Sequence, residues 1–378
     1  MLRIQGFVAR GFEAVRDAFA DNLEHQADVG AACAVYRNGV PVVDLWAGFA
    51  DLAGGRPWAE DTVQLVFSAT KGVTAICLNL LAERGAIDLD APIASYWPEF
   101  AARGKERIPV RWALCHKAGL AAVDGDLTLA DVLAWHPVVA AIAAQAPNWE
   151  PGTAHGYHAR SFGWILGEVV RRVTGHSIGH FFADEIARPL GLDFWIGVPP
   201  DALGRCARLI PPESMPSLAA IFGPDSLAAR VMNGPSGLFA YDEMWNRPDV
   251  LRAEMPSSNG VGSARALARL YAALVSDVDG MRVLEPGTVR SACVVHAEGP
   301  DRVIFVPSCF GIGFTLQPMC APGAGPRAFG HPGAGGSLGF SDPEAGLGFG
   351  YVTTRMKFDL AGDQRTMGLV AALYQSLR

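Results

Sequence analysis

The chain has 378 residues, half of them hydrophobic and 18% charged, with a formal net charge of −7. That balance excludes a disordered chain and suits a compact enzyme with a sizeable core, long enough for two lobes. The acidic balance, without any basic run, argues against a nucleic-acid partner. The seven scattered cysteines, with no Cys-x-x-Cys, argue against a metal or disulfide framework.

Residues 7–26 carry Phe12, Val15, Phe19 and Leu23 on one stripe and predict an amphipathic helix. Charges run through the first 28 residues, so no signal peptide is expected there. Together with free thiols this points to the cytoplasm. Two apolar runs, 31–36 and 40–46, flank Asn38-Gly39, a strong hairpin signal. Phe67-Ser68-Ala69-Thr70-Lys71-Gly72 follows. Val73, Ala75, Ile76, Leu78, Leu80 and Leu81 then predict a helix from Ser68 to about Gly85, apolar nearly all round and therefore buried. Helical patterns dominate from about 110 to 190. The charge-free stretch 132–149 is interrupted by Pro137, Gln145 and Pro147, which predicts two buried helical pieces and no membrane span. A further helix begins after Tyr157 and stops at Gly175. Residues 205–258 are rich in Pro, Gly and Met and show no clear period. A helix capped by Ser263 covers 264–274, strand patterns follow at 310–316, 327–332 and 348–354, and a helix closes the chain at 366–377.

This order predicts an α/β (α+β) fold. Both ends of the chain form one antiparallel sheet flanked by N- and C-terminal helices, and an all-helical lobe is inserted between them. The expected sheet domain is 1–95 with 285–378. The expected lobe is 96–284, with 205–258 as an irregular pocket segment. The Ser68 helix then lies at the seam between lobes, a usual place for an active site.

Ser68 and Lys71 put a hydroxyl and an amine on one helix face, three residues apart. Serine is a poor nucleophile at neutral pH. An amine kept neutral by desolvation and positive potential can take its proton. Many helices begin with Ser and carry a solvated Lys one turn later. The apolar helix behind Lys71 argues against that plain reading here.

The chain resembles the serine β-lactamase and penicillin-binding-protein superfamily, in its class C β-lactamase-like branch, and within it the family VIII carboxylesterases. The stretches that carry the resemblance are Phe67-Ser68-Ala69-Thr70-Lys71-Gly72, Leu89-Asp90-Ala91-Pro92, Leu114-Cys115-His116-Lys117-Ala118-Gly119-Leu120, Trp149-Glu150-Pro151-Gly152-Thr153, Tyr157 and Gly330-His331-Pro332-Gly333. Their order and spacing are more specific than any one of them. The resemblance covers about residues 12 to 376 and implies a β-lactamase-like fold. It implies Ser68 as nucleophile, Lys71 as its proton acceptor, and Tyr157 as a general base or proton relay. A phenol serves as a base only where nearby cations favour phenolate, and Lys71 could supply that. The backbone N–H groups of Ser68 and Ala334 are the implied oxyanion hole, each donor worth ~10²–10³ in rate.

Two departures from the β-lactamase pattern bear on substrate. Ala159 stands where the family's Tyr-x-Asn has its amide. His331-Pro332-Gly333 replaces Lys-Thr-Gly, so an ammonium that would attract a carboxylate is missing. Both favour a neutral ester over an anionic antibiotic, and His-x-Gly occurs among the esterase members. Pro332 predicts an edge strand. The expected substrate-facing residues are His331, Gly333, His158 and Trp245. Phe222, Phe239, Tyr241 and Trp245 fit a pocket wall or lobe packing equally well. Gly335-Gly336-Ser337-Leu338-Gly339 matches the nucleophile elbow of another hydrolase class, but no helix pattern follows and no histidine lies downstream of His331. His116, His155 and His158 lack metal-ligand spacing.

The resulting expectation is a serine carboxylesterase acting on short-chain esters through an acyl-enzyme, with no metal and no cofactor. The alternatives are a β-lactamase, a D-amino-acid peptidase or an acyltransferase using the same acyl-enzyme, and a non-enzymatic scaffold. The expected partner is a small-molecule ester. The oligomeric state stays open.

Overall fold

The computed structural model describes residues 3–213, 218–358 and 363–378. Residues 214–217 of the expected pocket segment, and residues 1–2 and 359–362 of the expected sheet domain, lie outside this description. Among the described residues the sheet strands are β1 (Gln5–Val8), β2 (Gly30–Arg37), β3 (Val40–Asp51), β4 (Ala297–Pro300), β5 (Pro307–Phe310), β6 (Thr315–Leu316), β7 (Phe329–Pro332), β8 (Leu338–Asp342) and β9 (Leu347–Thr353). They lie in the order β1-β3-β2-β9-β8-β7-β6-β5-β4, every pair antiparallel, and Arg56–Pro57 pairs with β3. The two ends of the chain meet at β2 and β9, where Cys33 faces Tyr351 and Ala34 faces Gly350. The expected hairpin closes at Asn38 and Gly39, with φ of 51° and 81°, the left-handed pair such a turn requires.

Alternate residues of β2 divide two cores. Ala31, Cys33 and Val35 pack under α1 (Glu13–Glu24) and α5 (Gln364–Gln375), together with Val15, Phe19, Phe340 and Leu369. Ala32, Ala34 and Tyr36 face the opposite core, as the two-residue period of a strand dictates. The long helices of that core are α2 (Thr70–Glu83), α3 (Ser161–Thr174) and α4 (Ala264–Val275).

Several expectations shift in the folded chain. The first helix does not begin at residue 7. Residues 5–8 pair instead with the outer edge of β3, which satisfies backbone groups that would otherwise lie unpaired. The 310–316 strand divides into β5 and β6. The strand bearing His331 is interior, paired with β6 and β8. Pro332 is tolerated because β6 stops opposite Phe329 and Gly330 and leaves its side of the strand free.

The largest difference concerns α4. The expected division at residue 284 assigns it to the lobe, yet it packs on β2, β8 and β9. The reason is a row of glycines. A Cβ on Gly348 would lie 2.3 Å from the Ala268 carbonyl oxygen, and one on Gly350 would lie 2.2 Å from that of Ala264. Only bare backbone admits a helix this close to the sheet.

The lobe follows the predicted helical block: Val110–Leu114, Leu129–Leu133, His136–Ala144, α3 and Ile178–Phe182. Pro137 sits in the first turn of the second apolar piece, where its missing N–H is harmless. Helix α2 is buried from Thr70 to Leu81 and packs against both α3 and β7. The seam between lobe and sheet therefore runs along α2. Among the described residues no helix is long and apolar enough to cross a membrane.

Candidate active site

Ser68 does not start the α-helix. It lies in a tighter 3₁₀ turn, Phe67–Ala69, that leads into α2. Phe67 has φ of 46°, a left-handed conformation that costs a residue with a Cβ about 1 kcal/mol or more. Three contacts hold it. Trp245 meets its ring edge-on at 5.0 Å and Tyr241 at 5.3 Å. The Thr70 hydroxyl donates to the Phe67 carbonyl at 2.5 Å and accepts from the Gly260 N–H at 2.8 Å. The turn leaves the Ser68 side chain half-buried at the seam.

Lys71 is fully buried. Its Nζ lies 3.3 Å from Ser68 Oγ, 2.7 Å from the Ala159 carbonyl and 3.1 Å from the Ser257 carbonyl. Two of these partners can only accept. A neutral amine has two hydrogens and one lone pair. It can therefore satisfy both carbonyls and still accept the Ser68 proton. Burial, and then the nearby Arg160 guanidinium, hold the Lys71 amine well below its usual range, which favours that neutral form.

The Tyr157 hydroxyl donates to Ser68 Oγ at 2.8 Å, and Lys71 Nζ lies 4.7 Å from the centre of its ring. Burial pushes the Tyr157 phenol above its usual range, against the pull of the Ser68 hydrogen bond. Burial thus favours the protonated form of the Tyr157 phenol and the neutral form of the Lys71 amine. The backbone of Tyr157 is fixed from far along the chain. Asp301 Oδ1 accepts the N–H groups of Tyr157 (3.1 Å), Val303 (2.8 Å) and Ile304 (3.1 Å), and its Oδ2 accepts from the Ser308 hydroxyl at 3.0 Å.

Gly333 and Ala334 leave the end of β7 and turn beside the segment that carries Ser68. The Gly333 N–H donates to the Ser337 carbonyl at 2.6 Å. A Cβ on Gly333 would lie 2.1 Å from the Val66 carbonyl oxygen, so the turn rests directly on the backbone two residues before Ser68. Among the described residues the Ala334 N–H has no acceptor. A cavity of about 240 Å³ adjoins it, lined by Met319, Gly333, Ala334, Phe358, Asp363 and Met367 among others.

His331 lies between β7 and Tyr157, its ring 6.1 Å from the phenol ring. Its Nδ1–H donates to the Pro332 carbonyl at 2.7 Å, which leaves Nε2 as the lone-pair nitrogen. Burial, and then Lys71, push it down to about 3. It is neutral at physiological pH.

Two expected substrate-facing residues are placed elsewhere. His158 is fully buried; its Nε2 accepts the Leu120 N–H at 3.0 Å and its Nδ1 donates to the Gly156 carbonyl at 2.7 Å. It fastens the Tyr157 loop from behind. Trp245 is also fully buried, with its indole N–H on the Ala240 carbonyl at 2.8 Å. It backs Phe67 and lines no open surface. His116 receives the His158 N–H at 3.1 Å and packs against Tyr157. His155 meets the Ser308 hydroxyl at 2.9 Å. Ser337 is buried at a hairpin end and followed by β8, not by a helix, so it is not a nucleophile elbow.

The Ala159 and Ser257 carbonyls, Arg160 and Asp301 are the participants that sequence reasoning missed. Backbone carbonyls carry no residue-type signal. Asp301 lies 144 positions from its partner. The small polar run Ser257-Ser258-Asn259, at the end of the segment without clear period, is the one hint the sequence holds.

An antiparallel sheet, a helical lobe, and a hydroxyl, an amine and a phenol converging at their seam define a serine hydrolase of β-lactamase-like architecture. The chain belongs to the Beta-lactamase family, whose family model matches residues 15–372. It is 39% identical over 368 residues to the esterase/beta-lactamase LipL of Mycobacterium tuberculosis, covering 94% of this chain and 83% of that protein. A solved family VIII carboxylesterase superimposes with a TM-score of 0.87 at 39% identity, covering 99% of this chain and all (100%) of the other. A penicillin-binding protein homolog from Caulobacter crescentus superimposes with a TM-score of 0.88 at 35% identity, covering 99% of this chain and 100% of that one.

Proposed function

We propose that this chain is a serine carboxylesterase that hydrolyses short-chain carboxylic esters through an acyl-enzyme on Ser68. The observation that carries the reading is the hydrogen-bond set at Ser68 Oγ: Lys71 Nζ at 3.3 Å, held by two carbonyls, and the Tyr157 hydroxyl at 2.8 Å. Lys71 takes the Ser68 proton as Oγ bonds to the ester carbonyl carbon. The negative charge that forms on the carbonyl oxygen falls to the Ser68 and Ala334 N–H groups. As the C–O bond breaks, Tyr157 passes its proton to the departing alkoxide. The Lys71 ammonium then restores the phenol. Water attacks the acyl-enzyme by the reverse route and releases the acid.

The neutral His331 and the missing amide at Ala159 favour an uncharged ester over a β-lactam carboxylate. The free cysteines among the described residues suit a reducing, cytoplasmic setting. The net charge of −7 disfavours a nucleic-acid partner.

The test is hydrolysis of p-nitrophenyl acetate, butyrate and octanoate by the unaltered protein and Ser68→Ala, with nitrocefin alongside. Ester turnover that vanishes in Ser68→Ala and falls with chain length supports the reading. Turnover that survives in Ser68→Ala overturns the site, and faster cleavage of nitrocefin than of any ester makes the chain a β-lactamase.

A further inference from the structure

Arg160 follows Tyr157 by three positions, and only 7% of it is exposed. Among the described residues none of its partners is an anion. Nη1 donates to the Ser258 hydroxyl at 3.2 Å, and Nη2 donates to the carbonyls of Met232 at 3.0 Å and Phe239 at 3.4 Å. The guanidinium lies 4.4 Å from the Phe239 ring centre and 5.5 Å from that of Trp245. Tyr241 adds a phenol hydrogen bond. Nε has no partner among the described residues. A guanidinium resists deprotonation, and neutral partners leave its field uncancelled.

Arg160 is also tied to both carbonyls that hold Lys71. Ala159 immediately precedes it. The Ser257 hydroxyl donates to the Arg160 carbonyl at 2.9 Å, and Ser258 holds Nη1. Lys71 and Arg160 reach the adjacent residues Ser257 and Ser258, and two buried cations without counter-ions there would be unfavourable, so the weaker acid of the pair keeps its proton and the other loses it. Lysine is the one that gives way. The other ionisable groups around Lys71 among the described residues are Tyr157 and His158 on the loop before α3, His116 after Val110–Leu114, and His331 on β7; Tyr271 on α4 lies against the neighbouring Gly72. Asp301 faces Tyr157 and His158, not Lys71.

We propose that Arg160 is a positioning residue for the reaction: its fixed charge, with only neutral partners among the described residues, keeps Lys71 a neutral amine, and its hydrogen bond to Ser258 steadies the segment whose Ser257 carbonyl orients that amine. This rests on the Ser68–Lys71 chemistry proposed above. Burial lowers the Lys71 amine first and Arg160 lowers it further, in the direction the proposal requires.

The test follows the acid limb of kcat/KM against pH for p-nitrophenyl butyrate. Arg160→Met and Arg160→Gln remove the charge, and Gln keeps some of the hydrogen bonding. Both should move the acid limb up by about one pH unit, a roughly tenfold loss below the limb with a smaller loss on the alkaline plateau. Ser258→Ala, which keeps the charge, should leave the limb in place. A limb that stays put in the folded Arg160 variants overturns the proposal. The second measurement needs no variant and no substrate. The chain has four lysines, at 71, 105, 117 and 357, so a spectrum of ¹³Cε-lysine-labelled protein can follow Lys71 directly, assigned with Lys71→Arg. An ammonium at pH 8 overturns the proposal even if the Arg160 variants fail to fold, and in the folded Arg160 variants the Lys71 titration should move up by the same amount as the acid limb. A neutral Lys71 in a protein inert toward esters would sink the esterase reading and leave this one standing.

Discussion

Replacing Gly333 by alanine tests whether the Ala334 N–H works as an oxyanion donor. The added methyl would sit 2.1 Å from the Val66 carbonyl oxygen and 3.2 Å from Ser337 Cβ, where ordinary contact begins near 3.4 Å. The Val66 oxygen is backbone and belongs to the segment that leads into Ser68. The 333–336 turn therefore has to retreat by about 1 Å, and the Ala334 N–H retreats with it. A misplacement of that size typically reduces rate about 10²-fold, and loss of one oxyanion donor reduces it ~10²–10³-fold, or about 2.7–4 kcal/mol of transition-state stabilisation. The expected result with p-nitrophenyl butyrate is a kcat lower by two to three orders of magnitude, on the order set by those effects. KM should change little, because the donor meets charge that exists only in the transition state. Circular dichroism should report an unchanged fold. A folded Gly333→Ala variant with kcat within about threefold of the parent would remove Ala334 from the oxyanion hole.

Lys71→Ala should lower kcat by ~10³-fold or more while a fluorophosphonate still labels Ser68 slowly, as expected when a general base is lost; unchanged labelling speed would deny Lys71 that role. Tyr157→Phe keeps the ring packing and removes only the proton donor, so esters of poorly leaving aliphatic alcohols should suffer more than p-nitrophenyl esters, and equal losses on both would remove Tyr157 from leaving-group protonation. Trp245→Ala should destabilise the fold by about 3–5 kcal/mol, since it empties a fully buried site, and should lower kcat through Phe67 without altering acyl-chain preference; a changed preference would return Trp245 to the pocket wall. His331 and His158 are held down to about 3 and about 4, chiefly by burial. In the unfolded chain each binds a proton below about 6.5, so the unfolded state holds more protons between that value and the folded one. Their contribution is therefore present above about pH 6.5 and is lost as pH falls, by about 1.4 kcal/mol per pH unit for each group. Calorimetry from pH 7 to 4.5 should find the melting temperature falling, and a flat profile would contradict two buried neutral imidazoles.

The readings that held depend on short-range chemistry. Asn38-Gly39 closes a hairpin because two left-handed residues suffice to do so. The run after Lys71 becomes a buried helix because it has no polar face. The early strand over 5–8 was missed because pairing with β3, from Gln5 with Trp46 to Val8 with Val43, outcompeted the helical stripe. Helix α4 has an ordinary amphipathic pattern, and nothing in that pattern says which lobe receives it. The answer lies in Gly348 and Gly350 on another element.

The same division runs through the candidate site. Ser68, Lys71, Tyr157 and the Gly330-His331-Pro332-Gly333 stretch are named by residue type and chain order, because a nucleophile, its base and a close-approaching backbone need particular side chains, or the lack of one. By itself the sequence determined which groups could react and what kind of fold would bring them together. Only the tertiary structure decided that Ala159 and Ser257 carbonyls hold the amine, that Asp301 anchors Tyr157, that His158 and Trp245 brace the site from behind, and that Arg160, with only neutral partners among the described residues, reaches Ser258 next to the Lys71 carbonyl. Those relations depend on distance and burial between segments far apart in the chain, and residue identity encodes neither.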